Sequence, residues 1–420
     1  MSSAPDELLH QMSDSTASFI FIQPPLLHTL DAALATAKSS GSEYTINKDR
    51  IILLCPKDSK PANSPYKSVE ELWVKDNQSQ IPPLTLAKGE ESNTAYLCYS
   101  SGTTGRAKGV ETTHHNMTSQ VQAVNLVMEP LEAGKDRCLG ILPFSHIYGL
   151  TLLIHWTLTV GVPIIVLPRF DEIQVLKVIQ EHKITFGYVV PPVLIVLLNS
   201  KNVPNYDISS LKGVMSGAAP LSADLAHAVQ DKLNFGVTQG YGLTETSPVS
   251  HVMTLQESLG RKGRIGKLMP TYQARLVTED GKDVIKQGER GELWVRGPSV
   301  MKGYWKNEDA TKNTFAEGGW FMTGDVAEVD PEGYFAIVDR VKELIKYKGF
   351  QGTSLLLSSP QSQLRLTSSP TSRTRGPTPD PPQSSRRSSH RLPLPIRSYR
   401  TPTRLCRTQS RPGSIHQQKR

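Results

Sequence analysis

A chain of 420 residues with 38% apolar content is long enough for two or three domains with sizeable cores. The formal charge of +8 belongs to the C-terminal end alone: residues 352–420 hold thirteen Lys+Arg against one acid and carry +12, which leaves −4 for the rest, so the body shows no nucleic-acid footprint. Four scattered cysteines (Cys55, Cys98, Cys138, Cys406) with no CxxC pair exclude a disulfide scaffold and point to a reducing compartment.

Residues 1–10 lack a basic stretch followed by an apolar core, so no signal peptide is expected. In residues 1–90, Leu26–Ala37 has helical periodicity, Ile51–Cys55 is strand-like and Pro56–Pro65 is a loop. Residues 91–259 alternate short β-branched runs with amphipathic stretches. Ile164–Leu167 and Gly187–Val190 are expected as strands, Glu172–His182 and Ala223–Leu233 as helices, which predicts an α/β fold with a parallel sheet covered on both faces. The longest apolar run, Ile147–Pro168, contains His155 and a turn at Gly161-Val162-Pro163; a buried helix followed by a buried strand is expected there, not a membrane span.

From 260 to 339 the pattern changes. Gln273–Val277, Gly291–Arg296 and Tyr334–Val338 are short strands divided by Asp280-Gly281 and Glu332-Gly333 turns, which predicts a small antiparallel sheet. A basic stretch, 340–351, follows. Residues 352–420 are rich in Ser, Pro, Arg, Thr and Gln, and composition predicts a disordered basic tail. Its arginines show no aromatic interleaving, which argues against nucleic acid as a partner. The terminal Gln418-Lys419-Arg420 is no peroxisomal address, and a cytoplasmic location is expected.

One loop carries unusual chemistry. Tyr99-Ser100-Ser101-Gly102-Thr103-Thr104-Gly105-Arg106-Ala107-Lys108-Gly109 follows a short strand at Tyr96–Cys98. Glycines let backbone N–H groups approach phosphate oxygens, hydroxyls donate further bonds, and Lys108 adds a full charge. The Walker spacing is absent. The alternative is a Ser/Gly linker.

This loop resembles the phosphate loop of the adenylate-forming superfamily, which includes acyl-CoA synthetases and 4-coumarate–CoA ligases. Five further stretches follow in the family's order: Pro143–Gly149, Gly240–Glu245, Gly291–Trp305, Thr323-Gly324-Asp325 and Asp339–Gln351. The wording is most similar to the 4-coumarate–CoA ligase-like branch. The resemblance spans about residues 5–351. It implies a large N-terminal domain of layered α/β sheets plus a small antiparallel β subdomain: an incomplete first α/β subdomain (1–90), an ATP- and acyl-binding subdomain (91–259), a small β subdomain (260–339) and a hinge (340–351).

The resemblance also implies roles. A carboxylic acid would attack ATP to give an acyl-adenylate, and coenzyme A would then displace AMP. Ser100, Ser101, Gly102, Thr103, Thr104 and Lys108 would hold phosphates. Thr244 would contact the α-phosphate and Glu245 would ligate Mg²⁺, a hard cation suited to oxygen. Tyr241 would stack on adenine beside Gln239 and Gly240; Asp325 and Arg340 would bind the ribose, although an Asp after Gly324 could equally cap a turn. His146, Tyr148, Met215, Gly217, Ala218 and Ala219, with Gln239 and Gly240, would shape an acyl pocket for an aryl or a medium or long acyl chain, although a lone His beside Phe144 and Tyr148 could equally pack in a core. No Asp stands in Phe144-Ser145-His146 to pair an amino-acid ammonium. Lys346, Lys348 and Gly349 would serve the CoA step and Lys342 the hinge, or 342–348 could be simply a basic surface.

Two departures stand out. Gln351 is followed by Gly352-Thr353-Ser354-Leu355 rather than by the family's C-terminal domain with its adenylation lysine, and only 98 residues precede the loop. The expectation is a ligase truncated at both ends, its adenylation impaired, with a tail read out of frame or through an intron, or a decaying gene. The alternative is a nucleotide-binding pseudoenzyme or non-functional remnant.

Overall fold

The computed structural model describes residues 4–73, 85–100, 106–261, 263–284, 286, 288–341, 344–347 and 350–353. Pro5 at the first helical position, with Glu7 reaching back to the Ala4 N–H (3.2 Å), starts helix α1 (Pro5–Ser15). Strand β1 (Ile20–Ile22), helix α2 (Leu27–Ser39), β2 (Ile51–Leu53) and β3 (Lys67–Ser68) follow. The three strands pair in parallel, in the order β1-β2-β3. Leu30 and Ala33, one turn apart on α2, pack on Met12, Ile51 and Leu53. At the β1 edge Phe21 faces outward and is 56% exposed.

Strands β4 (Thr94–Ser100) and β5 (Lys108–Thr113) are an antiparallel pair in which Ser100 lies opposite Lys108. The phosphate-loop motif therefore starts on one strand of this pair and ends on the other. Thr113 and Asn116 cap each other at the start of α3 (His114–Val127), and the Asn116 amide also donates to the carbonyls of Pro298 (2.7 Å) and Val300 (2.9 Å).

A seven-stranded sheet forms the centre. In chain order come β6 (Cys138–Gly140), a π-helical stretch (Gly149–Trp156) running into α4 (Thr157–Thr159), β7 (Ile164–Val166), α5 (Glu172–His182), β8 (Phe186–Val189), α6 (Pro191–Asn199), β9 (Gly213–Ser216), α7 (Ala223–Leu233), β10 (Gly236–Gly242), β11 (Val249–Val252) and β12 (Lys267–Leu268). The order across the sheet is β12-β11-β10-β9-β8-β6-β7. Helices α5 and α7 occupy the spans that periodicity predicts, and their apolar faces (Val175, Leu176, Ile179; Ala226, Val229, Leu233) share one core.

Three expectations need correction. The sheet is parallel only from β7 to β10; β11 and β12 run antiparallel, because the tight 243–248 turn is too short for a crossover helix. The 164–167 strand is not buried: β7 is the sheet edge with β6 as its one neighbour, and Val166 is 53% exposed. Gly352 and Thr353, assigned by composition to the disordered tail, belong to a strand described below.

The expected antiparallel sheet is present: β13 (Gln273–Val277), β14 (Gly291–Arg296), then β15 (Gly303–Tyr304), β16 (Phe315–Ala316), β17 (Trp320–Val329) and β18 (Phe335–Arg340), with order β13-β14-β17-β16 and β18 beside β17. β15 does not join it; it adds instead to β5, in a sheet of order β15-β5-β4. Strands β19 (Leu344–Tyr347) and β20 (Phe350–Thr353) form an antiparallel pair. The rest of the basic tail lies outside the described residues. No helix among the described residues is long and apolar enough to cross a membrane.

The main core centres on Tyr188, which is fully buried. Phe186, Tyr148 and Trp156 meet its ring edge-on, with centroids at 5.4, 6.1 and 6.3 Å. Such pairs add about 0.5–1.5 kcal/mol each beyond area burial. This cluster seats the π-helical stretch, through Tyr148 and Trp156, on the sheet.

Two predictions follow from buried polar atoms. The Tyr188 hydroxyl has no hydrogen-bond partner among the described residues, and an unsatisfied buried hydroxyl costs about 1–3 kcal/mol. Tyr188→Phe should leave the melting temperature unchanged or raise it, whereas Tyr188→Ala should cost about 3–5 kcal/mol by urea unfolding. His251 on β11 is fully buried against Tyr241 and Phe335, and burial pushes its imidazole down to about 3. The folded pKa lies below the unfolded value of about 6.5, so the unfolded chain takes up the proton first. The stability contributed by neutral His251 is present above about pH 6.5 and is lost as pH falls toward about 3. His251→Phe should flatten that part of a melting-temperature-versus-pH curve.

Candidate active site

Strand β10 brings the candidate residues together. Its C-terminal end runs Gln239, Gly240, Tyr241, Gly242, and a short turn at Thr244–Thr246 follows. Gly242 is needed here for space: a Cβ would lie 1.9 Å from the Pro248 carbonyl oxygen. The turn is tied from outside by Tyr272, whose hydroxyl donates to the Thr246 carbonyl (2.7 Å), and by Met301, whose N–H donates to the Glu245 carbonyl (2.8 Å).

Glu245 is only 8% exposed. Its Oε1 accepts from the Ser100 hydroxyl (3.2 Å) and from the Tyr304 hydroxyl (2.8 Å). The Lys108 ammonium stands 4.5 Å from the centroid of the Tyr304 ring, within cation–π range. Burial, then the Glu245 charge, push the Tyr304 phenol well above its ordinary value, so it remains a donor. Four chain segments thus converge: both stems of the hairpin, the turn after β10, and β15. The donor set around Glu245 is all oxygen, which fits a hard cation such as Mg²⁺. No group of three or more His, Cys, Asp or Glu capable of caging a metal occurs among the described residues, so most ligands of such an ion would come from phosphate and water.

A second group lies on the other side of Tyr241. The Tyr241 hydroxyl donates to Asp325 Oδ2 (2.6 Å), and Arg340 Nε donates to Asp325 Oδ1 (3.1 Å). Asp325 is 4% exposed and lies within β17, directly opposite Arg340 on β18. Its side chain reaches across to β10. Burial, then the Asp325 charge, hold the Tyr241 phenol far above its ordinary value.

The candidate acyl residues also meet. The Tyr148 hydroxyl donates to the Met215 carbonyl (3.0 Å). Gly217 is packed so closely on the Tyr148 ring that a Cβ would lie 3.1 Å from it, and the Met215 methyl lies against Gly240. Ala218, with φ 64°, and Ala219 are exposed beside this group. His146 is exposed as well, not packed in a core; its Nδ1 accepts the Tyr148 N–H (3.1 Å). Gln239 is 6% exposed and lies opposite Ser216 on β9.

Other candidates are not reached. Ser101, Gly102, Thr103, Thr104, Lys342, Lys348 and Gly349 lie outside the described residues. Lys346 is on β19, opposite Gln351. Tyr304 was missed as a site residue. It lies inside the recognisable 291–305 stretch, but nothing in the sequence places a residue beside Glu245 when 59 positions separate them.

Known proteins resemble this chain. Residues 1–305 match the family described as "AMP-binding enzyme". A Dictyostelium discoideum protein named "Probable 4-coumarate--CoA ligase 1" is 39% identical over 278 residues, 64% of this chain and 50% of that protein. "Probable CoA ligase CCL5" of Humulus lupulus is 34% identical over 365 residues, 85% of this chain and 64% of that protein. The chain therefore spans half to about two thirds of the length of these relatives. Among solved structures, O-succinylbenzoate coenzyme A synthetase (MenE) from Bacillus subtilis, in complex with ATP and magnesium ion, superposes with a TM-score of 0.66 at 26% identity, covering 85% of this chain and 67% of that one. The chain belongs to the AMP-binding, adenylate-forming enzyme family, and it is similar to members of it named as 4-coumarate–CoA ligases and CoA ligases.

Proposed function

We propose that this chain binds ATP and a carboxylic acid as the large domain of an acid–CoA ligase. One observation carries the reading: Glu245, Ser100, Tyr304 and Lys108 converge where β4 and β5 carry the two ends of the phosphate-loop motif. A carboxylate and an ammonium held by one phenol offer a metal-binding group and a phosphate-binding charge, and a ligand that uses both would carry phosphates and a metal. ATP with its metal does so: Lys108 would meet phosphate oxygens and Glu245 would hold Mg²⁺, which offsets charge as pyrophosphate leaves.

Tyr241, Asp325 and Arg340 supply a flat ring, a buried acceptor and a donor, a set suited to adenosine. The acid carboxylate would attack the α-phosphorus, with Thr244 near it, to give an acyl-adenylate and pyrophosphate; a CoA thiol would then displace AMP. Positioning supplies most of the rate in such chemistry. Tyr148, Met215, Gly217 and Gly240 make an apolar wall suited to an aryl or extended acyl group. Lys346, Lys348 and Gly349 would serve the CoA step and Lys342 the hinge.

Equilibrium ATP binding tests the nucleotide part. Wild type should bind MgATP, and Lys108→Met should weaken it about tenfold to a hundredfold, the loss of one charge-assisted contact. Wild-type affinity in that variant would remove Lys108 from the site. ATP–pyrophosphate exchange with a panel of aryl and fatty acids tests the acid part. Gly217→Leu, which drives a side chain into the Tyr148 ring, should abolish exchange with the preferred acid while MgATP affinity stays within about twofold. ATP binding without exchange for any acid would instead identify a nucleotide-binding pseudoenzyme.

A further inference from the structure

Neither the nucleotide nor the acid reading gives Tyr304 a task of its own, yet the charged groups of the site meet on it. Its hydroxyl donates to Glu245 Oε1 (2.8 Å), the oxygen that also accepts from Ser100 (3.2 Å). Two donors on one oxygen set the plane of the carboxylate, and with it the direction of the second oxygen. The ring lies under the Lys108 ammonium at 4.5 Å. A phenol placed between a carboxylate and an ammonium holds both without neutralising either.

The backbone keeps the ring in register. Tyr304 pairs with Val110 on β5, Lys302 N–H donates to the Glu111 carbonyl (3.0 Å), and Trp305 N–H donates to the Gly109 carbonyl (2.8 Å). Three residues before Tyr304, Met301 N–H donates to the Glu245 carbonyl (2.8 Å). The same five-residue segment thus grips the Lys108 strand and the Glu245 turn, and Tyr304 is 9% exposed between them.

We propose that Tyr304 is a positioning residue for the phosphate end of the site: its hydroxyl aims the Glu245 carboxylate at the metal, and its ring seats the Lys108 ammonium against phosphate. The proposal rests on the nucleotide reading above. It separates two functions of one side chain, and two variants separate them in turn. Tyr304→Phe keeps the ring and removes the donor. Tyr304→Leu removes both.

The experiment is calorimetric titration of the full chain with ATP, with and without Mg²⁺, each variant checked by thermal melting. In Tyr304→Phe, metal-free ATP affinity should stay within about twofold of wild type, and the gain on adding Mg²⁺ should shrink about tenfold. Tyr304→Leu should lose the same share of that gain and, in addition, about threefold to tenfold in metal-free affinity. In a Glu245→Gln background, Tyr304→Phe should change affinity by no more than about twofold, because its effect passes through the carboxylate. An unchanged Mg²⁺ gain in Tyr304→Phe, or an undiminished effect in the Glu245→Gln background, overturns the proposal alone. Wild type that binds no ATP overturns the nucleotide reading and the proposal with it. If Tyr304→Phe does not fold, Tyr304→Leu decides: an intact Mg²⁺ gain or an intact metal-free affinity in that variant sinks the idea.

Discussion

A carboxylate withdrawn from water is costly unless donors or a cation meet it. In this protein that constraint falls on Glu245. Its donors come from Ser100 on one strand and Tyr304 on another, at sequence distances of 145 and 59 residues. Satisfying it brings the hairpin, the turn after β10 and strand β15 into one place. The three-stranded sheet β15-β5-β4 is the backbone form of the same requirement.

The rest of the architecture supports this junction from two sides. On one, the aromatic cluster around Tyr188 fixes the π-helical stretch, and so the buried Tyr148 ring that packs on Gly217. On the other, α3 acts as a strut. Its first turn holds the carbonyls of Pro298 and Val300 through Asn116, and Gln120 holds the Val249 carbonyl (2.9 Å). Helix α1 closes the outer face: Tyr99 donates to the Asp14 carboxylate (2.7 Å) and the Trp305 indole to the Asp14 carbonyl (2.8 Å). Loss of any of these contacts would act on the site through geometry, without touching a ligand.

Much of the site was legible as residue types in order. The loop chemistry of Ser100 and Lys108, the turn around Glu245, and Asp325 were all identifiable before any coordinates, because local chemistry and spacing survive in a linear string. Periodicity also placed α5, α7 and β14, where the burial pattern is one-sided, as well as β13, where it is not. Other features were not legible. An apolar run such as Ile164–Val166 looks the same at a sheet edge as in its middle, since exposure depends on whether a neighbour strand lies on the far side. The direction of β11 depended on the short 243–248 turn, which sequence treats as a motif rather than a topological link. The role of Tyr304 needed β15 to leave its neighbours in the chain and pair with β5.

By itself, the sequence determined the family, the order of the motifs and the helices with clear periodicity, because all of these depend on residues near one another along the chain. The tertiary structure alone decided that Tyr241 and Arg340 share Asp325, that Glu245 takes its donors from both the hairpin and β15, and that one phenol stands between the carboxylate and the ammonium. Such contacts join residues tens to hundreds of positions apart. They arise from burying charges together under the requirement that each be paired, a requirement whose solution is written in three dimensions only.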